Sequence, residues 1–247
     1  MINDGIDKKG KDITSFLMIG QSNMAGRGEL DEVESINNAN CYMLRMGRWQ
    51  RMAEPINPDR AIFNTKFHSG ISLGASFADS FANRFGTKVG MIPCADGGTT
   101  ISQWQPEEVL FEHAVFMTKL AMRTSNLGGI LWHQGESDCH SEKDAKTYLA
   151  RFVSMIEQLR KDLGNEALPV VVGGLGDFLE DYDDEIKYKH TKTVQEALKQ
   201  IPSAIQNCAF ASAEGLTDRG DGVHFNSKSY RVLGERYFQS YLEIAEK

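Results

Sequence analysis

The sequence predicts a doubly wound α/β/α sandwich around a five-stranded parallel sheet, on three observations. Short, continuously apolar runs bounded by Gly or Pro recur five times, segments of helical period separate them, and no repeat or composition break divides the 247 residues. Continuous rather than alternating hydrophobicity marks strands covered on both faces, the condition of a parallel sheet between two helical layers. The runs are residues 15–20, 88–93, 129–133, 168–173 and 207–212. Right-handed crossovers through the intervening helices favour a flavodoxin-like strand order over a closed barrel.

Taken in order, the first run, Phe16-Leu17-Met18-Ile19-Gly20, leads into Gln21-Ser22-Asn23. From 29 to 69 periodicity lapses, and this stretch of about 40 residues is expected to be an irregular insertion near the site, in which Trp49, Phe63 and His68 either line a pocket or, as the favoured reading, belong to a packed surface excursion. Ser72 is placed to cap a helix carrying Leu73, Phe77, Phe81 and Phe85 at steps of four and ending at Gly86. Its aromatic stripe faces the sheet as core. Further helices are expected over 108–126, 141–163, 186–201 and 227–246. In the second of these, Tyr148, Phe152, Met155, Ile156 and Leu159 recur at three- and four-residue steps. Residues 1–12 read as a polar tail, and 1–247 as one domain.

Twenty-seven basic against 34 acidic residues give a formal charge of −7. No basic cluster exceeds Lys8-Lys9-Gly10-Lys11, so a nucleic-acid partner lacks its electrostatic footprint, and a neutral or cationic ligand suits the balance better. No apolar run is long enough to span a membrane. The N-terminus has no apolar signal core, and Cys41, Cys94, Cys139 and Cys208 form no CxxC pair. Both features fit reduced thiols in a cytoplasmic protein, although a chain trimmed of its signal peptide would look the same.

In an open parallel sheet, ligands bind beyond the carboxyl ends of the strands. The first strand is followed by Gly20-Gln21-Ser22-Asn23, the second by Ala95-Asp96-Gly97-Gly98-Thr99-Thr100, and the third by His133-Gln134-Gly135-Glu136-Ser137-Asp138. The fifth is followed by a loop holding Asp221 and His224. These four strand ends carry groups suited to one acyl-transfer site: a hydroxyl, glycine-flanked amides, a carboxamide, and an imidazole three residues after a carboxylate.

Gly-Gln-Ser-Asn-Met, Gly-Gly-Thr, His-Gln-Gly-Glu-Ser-Asp and Asp-Gly-Val-His-Phe follow one another between residues 20 and 225. They resemble the ordered blocks of the SGNH hydrolase superfamily, in the branch holding carbohydrate esterase family six and the sialate O-acetylesterase-like, acetylxylan esterase-related proteins. The resemblance implies a flavodoxin-like α/β/α fold and hydrolysis of acetyl esters on a small acetylated carbohydrate, such as acetylated xylo-oligosaccharides or sialic-acid derivatives, with no cofactor. Gly-Gln-Ser replaces the superfamily's usual Gly-Asp-Ser, and Gln134 stands where the wider group has asparagine. These departures point toward the carbohydrate branch. Two other readings are an SGNH esterase or thioesterase acting on longer acyl groups and a carbohydrate-binding protein with a dead site.

In the leading reading Ser22 is the nucleophile and His224 the base that later protonates the leaving sugar alkoxide. Asp221, on a short tether to His224, is the favoured third member; Glu136, at the end of the third strand, is its rival. Expected oxyanion donors are the N–H of Ser22, that of Gly98 with Gly97 second, and the side-chain amide of Gln134. Gln21, Asn23, Thr99, Trp104 and His133 are the expected substrate contacts, with Trp104 equally readable as a stacking surface for a sugar ring or as core. His133, Glu136, Asp138, Cys139 and His140 fit no standard metal-ligand spacing, so no metal is assigned. His113 and His190 fall in helical segments.

Overall fold

The computed structural model describes residues 11–58, 68–180 and 188–245. Phe63, most of the polar tail, the first two residues of the helix expected from 186 and Glu246 lie outside them. The strands are β1 (Ile13–Gly20), β2 (Cys41–Arg45), β3 (Arg48–Arg51), β4 (Lys88–Pro93), β5 (Asn126–His133), β6 (Val170–Gly173) and β7 (Cys208–Ala211), in one sheet of order β3-β2-β4-β1-β5-β6-β7. The five expected strands are its parallel centre, β4-β1-β5-β6-β7. Ranked along the chain this is 2-1-3-4-5, the flavodoxin-like order.

The sheet has seven strands rather than five because the supposedly irregular insertion contributes two. β2 runs parallel to β4, and β3 returns antiparallel to β2 through Met46-Gly47. Both turn residues have positive φ, 52° and 74°, as a two-residue hairpin turn requires. Methionine in place of Asn or Asp at the first turn position hides that turn in the sequence. Trp49 does not line a pocket: it is buried in the core, and its Nε1 donates to Thr124 Oγ1 at 3.1 Å. His68 is exposed. The insertion is tied down where buried Glu54 meets Arg231 in a two-pronged ion pair of 2.7 and 2.5 Å.

The helices are α1 (Ser22–Ala25), α2 (Leu73–Phe85), α3 (Val109–Ala121), α4 (Glu142–Asp162), α5 (Thr191–Ala204) and α6 (Ser227–Ala245). Alternation along β1 sorts the two cores: Phe16 and Met18 pack with α2 and α6, whereas Leu17 and Ile19 pack with α3, α4 and α5. The stripe of α2 is core at Leu73, Phe77 and Phe81, with Phe77 and Phe81 edge-on to Phe16 at 4.8 and 5.1 Å, whereas Phe85, expected to join it, is exposed at the end of the helix. Gly86 ends that helix at φ 64°, its N–H donating to Ala82 O. Ser72 holds the N-cap position, but its hydroxyl makes no capping bond. The helix expected to reach residue 126 stops at Ala121, because Asn126 already opens β5.

α2 and α6 cross at Gly234, where a Cβ would lie 2.1 Å from Ser76 Oγ and 2.2 Å from Leu73 O. Backbone is in the way, so the helices must separate to admit a methyl group. Gly234→Ala is therefore expected to lower unfolding stability by about 1–3 kcal/mol, read as a fall in denaturation midpoint at unchanged m-value.

Candidate active site

The four motif loops converge on the carboxyl edge of the sheet. β1 ends at Gly20, φ 135°, where a Cβ would stand 2.0 Å from His133 O. Only glycine lets the chain turn this close to β5. The Gln21 N–H then bonds His133 O at 3.0 Å, and Asp96 N–H bonds Gly20 O at 3.0 Å. Ser22 opens α1 from this junction.

Ser22 Oγ lies 2.9 Å from His224 Nε2, and His224 Nδ1 lies 2.8 Å from Asp221 Oδ2. Asp221 Oδ1 accepts the amides of Val223 at 3.0 Å and His224 at 2.8 Å. Burial raises the Asp221 carboxyl, but the His224 ring and these two amides outweigh it and hold the group down at about 2. A carboxylate at Nδ1 selects the tautomer with its proton there, leaving Nε2 to accept from the serine hydroxyl. A hydroxyl, imidazole and carboxylate so linked are equipped for nucleophilic acyl transfer. Arg219 Nε stands 3.7 Å from Asp221 Oδ2 on the outer side.

Glu136 does not hydrogen-bond His224. Its Oε1 accepts from Asn23 Nδ2 at 2.5 Å, it is fully buried, and burial raises its pKa against the lowering effect of the Asn23 bond. His133 Nε2 lies 3.9 Å from the same oxygen, while burial pushes His133 down to about 3. With the imidazole held neutral, the contact is not an ion pair.

The expected substrate contacts are instead scaffold, all buried. Trp104 stacks edge-on against Trp132 at 5.7 Å and donates to Thr99 Oγ1 at 3.0 Å; Thr99 Oγ1 in turn donates to Asp96 O at 2.8 Å. His133 Nδ1 meets Tyr237 OH at 3.0 Å, and the tyrosine proton goes to Trp132 O at 2.6 Å. Gln21 Oε1 accepts from Gln134 Nε2 at 3.1 Å and from Ser137 N–H at 3.3 Å. Asn23 is consumed by Glu136, Val223, Phe225 and Tyr230. The reason is common to all five: polar side chains at packed strand ends must find protein partners, and neighbouring loops supply them.

Gln134 Nε2 also donates to Thr99 O at 2.9 Å and Asp138 Oδ2 at 2.6 Å. Three protein acceptors for two hydrogens leave the amide engaged within the scaffold, contrary to its expected place among the oxyanion donors. The two glycines separate as well. A Cβ on Gly97 would lie 3.6 Å from Ser22 Cβ, whereas one on Gly98, at φ 75°, would meet nothing within 4 Å. Gly97, the second choice from sequence, borders the nucleophile more closely.

Arg27 was missed. Its Nη2 lies 2.6 Å from where a Gly97 Cβ would stand, a point 3.6 Å from Ser22 Cβ, and its Nη1 donates to Gly26 O at 2.7 Å. Its position three residues beyond the Gly-Gln-Ser-Asn-Met block is the signal the sequence offered. Among the described residues no cluster of potential metal ligands occurs.

Asp138 Oδ2 accepts from Gln134 and from Ile101 N–H at 2.9 Å, yet burial lifts its carboxyl from the ordinary 3.8 to about 6. Its protonated form stabilises the fold fully below 3.8, and that contribution is lost as pH rises through about 6. Asp138→Asn retains an oxygen for both donors and carries no charge. It is expected to gain up to about 3 kcal/mol over the parent above pH 6, vanishing near pH 4, in urea titrations across pH.

A family model described as carbohydrate esterase, sialic acid-specific acetylesterase, matches residues 12–243. A probable carbohydrate esterase of Arabidopsis thaliana is 29% identical over 249 residues, covering 92% of this chain and 89% of the relative. A crystal structure of an Arabidopsis thaliana protein superposes with TM-score 0.82 at 27% identity, covering 95% of this chain and 99% of that one. The crystal structure of NanS shares the fold at TM-score 0.76 and 16% identity, covering 94% and 97%. The match runs through all four motif loops, and the chain belongs to the carbohydrate esterase, sialic acid-specific acetylesterase family.

Proposed function

We propose that the protein removes O-acetyl groups from small carbohydrates through an acetyl-enzyme on Ser22. The observation that carries this is the unbroken Ser22, His224, Asp221 hydrogen-bond chain at the edge where the family's motifs meet. His224 Nε2 takes the Ser22 proton as Oγ attacks the ester carbon, and the tetrahedral oxyanion is met by the N–H groups of Ser22 and Gly97. Collapse expels the sugar oxygen, which receives the proton from His224. Water, deprotonated by the same nitrogen, then releases acetate and restores the serine. Asp221 stays ionised throughout, stabilising the imidazolium without taking its proton.

The sugar is where Arg27 matters. A guanidinium beside Gly97 and the nucleophile favours an acetylated sugar that carries a carboxylate, of the sialic-acid kind, over a neutral xylo-oligosaccharide. Net charge points the other way, but it is a diffuse acidic surface that salt screens, whereas a guanidinium beside Gly97 acts at short range.

Ser22→Ala is expected to abolish acetate release from p-nitrophenyl acetate while the fold survives, and continued turnover by that variant refutes the acetyl-enzyme. Arg27→Met separates the sugars. Its KM for an O-acetylated sialic acid is expected to rise about tenfold or more, with a smaller change for acetylated xylo-oligosaccharides. Equal effects on both substrates, or faster turnover of the neutral one by the parent enzyme, refute the acidic-sugar assignment.

A further inference from the structure

His224 comes to Ser22 from a loop whose residues 214–223 are exposed or half-buried. Its outward bonds, from Gly215 N–H to Asp177 Oδ2 at 3.1 Å, from Thr217 N–H to Ser229 Oγ at 2.9 Å and from the Arg219 guanidinium to Arg27 O and Glu29 Oε1, all lie five or more residues before His224, and nearer the imidazole the bonds are internal: Asp218 Oδ2 accepts from Gly220 N–H at 2.8 Å and Gly222 N–H at 2.6 Å, and Arg219 N–H donates to His224 O at 2.8 Å. Those ties hold the start of the loop, and the peptide groups that flank the imidazole need a partner of their own. The Ser22 and His224 side chains nevertheless stand 2.9 Å apart across 202 positions of sequence.

The link comes from the residue next to the nucleophile. Asn23 Nδ2 donates to Val223 O at 3.0 Å, and Asn23 Oδ1 accepts from Phe225 N–H at 3.3 Å. One carboxamide therefore holds the peptide groups on both sides of His224. Its own orientation is set from behind. Tyr230 OH donates to Oδ1 at 2.6 Å and Glu136 Oε1 accepts from Nδ2 at 2.5 Å, so two donors face the oxygen and two acceptors face the nitrogen. Phe225 adds packing, with its ring edge-on to His133 at 5.7 Å and to Tyr230 at 5.6 Å.

We propose that Asn23 is a positioning residue of the reaction, clamping Val223 and Phe225 so that the imidazole between them meets the hydroxyl of Ser22. The inference rests on the acetyl-enzyme reading of Ser22 and His224 given above. Tyr230 and Glu136 serve it by keeping the carboxamide in one orientation, and none of the three touches substrate. This explains why Glu136 stands so near the catalytic groups without bonding His224: it acts one residue removed, through Asn23.

The test uses the full chain and five variants. Asn23→Ala is expected to lower kcat for p-nitrophenyl acetate about 10- to 100-fold with KM within about twofold, because the base is displaced while the acyl site is not. Labelling of Ser22 by a serine-directed phosphonate slows by a similar factor, a readout that a purely structural role would leave unchanged in the folded fraction. Tyr230→Phe, close to isosteric, removes one donor to Asn23 Oδ1 and is expected to cost a few-fold in both rates; it decides the matter if Asn23→Ala does not fold. Glu136→Gln keeps an oxygen for Asn23 and is expected to be milder than Glu136→Ala. Parent-like kcat and labelling in Asn23→Ala, or in Tyr230→Phe where the alanine variant is unfolded, overturns the clamp. An inactive Ser22→Ala enzyme alongside that result shows that the acetyl-enzyme reading stands and only the clamp has failed.

Discussion

The site depends on one close approach, where the end of β1 presses against the end of β5. With Gly20 against His133 O and the Gln21 N–H bonded to that carbonyl, the segment bearing Ser22 leaves the sheet in contact with residues 133–138. β4 joins on the other side through Asp96 and Gly20. Three of the four motif loops are thus registered by strand neighbourhood alone, since β4, β1 and β5 are adjacent. The fourth is not. β7 lies three strands from β1, so its loop has to reach back across the ends of β5 and β6, and main-chain pairing within the sheet cannot fix where it arrives. Side-chain ties are needed there: Arg219 binds Arg27 O and Glu29 at the start of the loop, and Asn23 binds the peptide groups on either side of His224.

Much of this was legible in the sequence, for identifiable reasons. Buried parallel strands announce themselves as continuous apolar runs, and all five central strands lie within a few residues of the expected ranges. The rule that ligands bind beyond the carboxyl ends of parallel strands then collected Ser22, Gly97, Glu136 and His224 without any knowledge of side-chain direction. The hairpin β2–β3 escaped because its strands are short, one lies at the sheet edge, and its turn is written Met46-Gly47 rather than Asn-Gly. What composition and motif spacing do not carry is which polar side chains are spent on each other. Gln21, Asn23, Thr99, His133 and Gln134 look available in a linear string, yet Gln21, Asn23, His133 and Gln134 prove to be bonded to segments distant in sequence and the Thr99 hydroxyl is taken by its neighbours Asp96 and Trp104.

The same interior explains the contrast between three carboxyl groups within a few residues of the motifs. Glu136 and Asp138 are buried and shifted toward their neutral forms, and Glu136 Oε2, Asp138 Oδ1, His133 Nε2 and Gln134 Oε1 have no protein hydrogen-bond partner among the described residues. Asp221 lies at the rim, its side chain 41% exposed, and is shifted the other way. A group that must face an imidazolium at each turnover needs to be a carboxylate beforehand, and solvent at the rim supplies much of the solvation that burial would remove. Glu136 in that role would have to ionise inside a fully packed segment. Placed behind Asn23, it needs only to accept one hydrogen bond, which a neutral carboxyl does as well as a charged one. The contrast between an acid at the surface held toward its charged form and acids beneath it shifted toward their neutral forms therefore follows from depth, and it favours Asp221 over Glu136 as the partner of His224 on physical grounds independent of motif order.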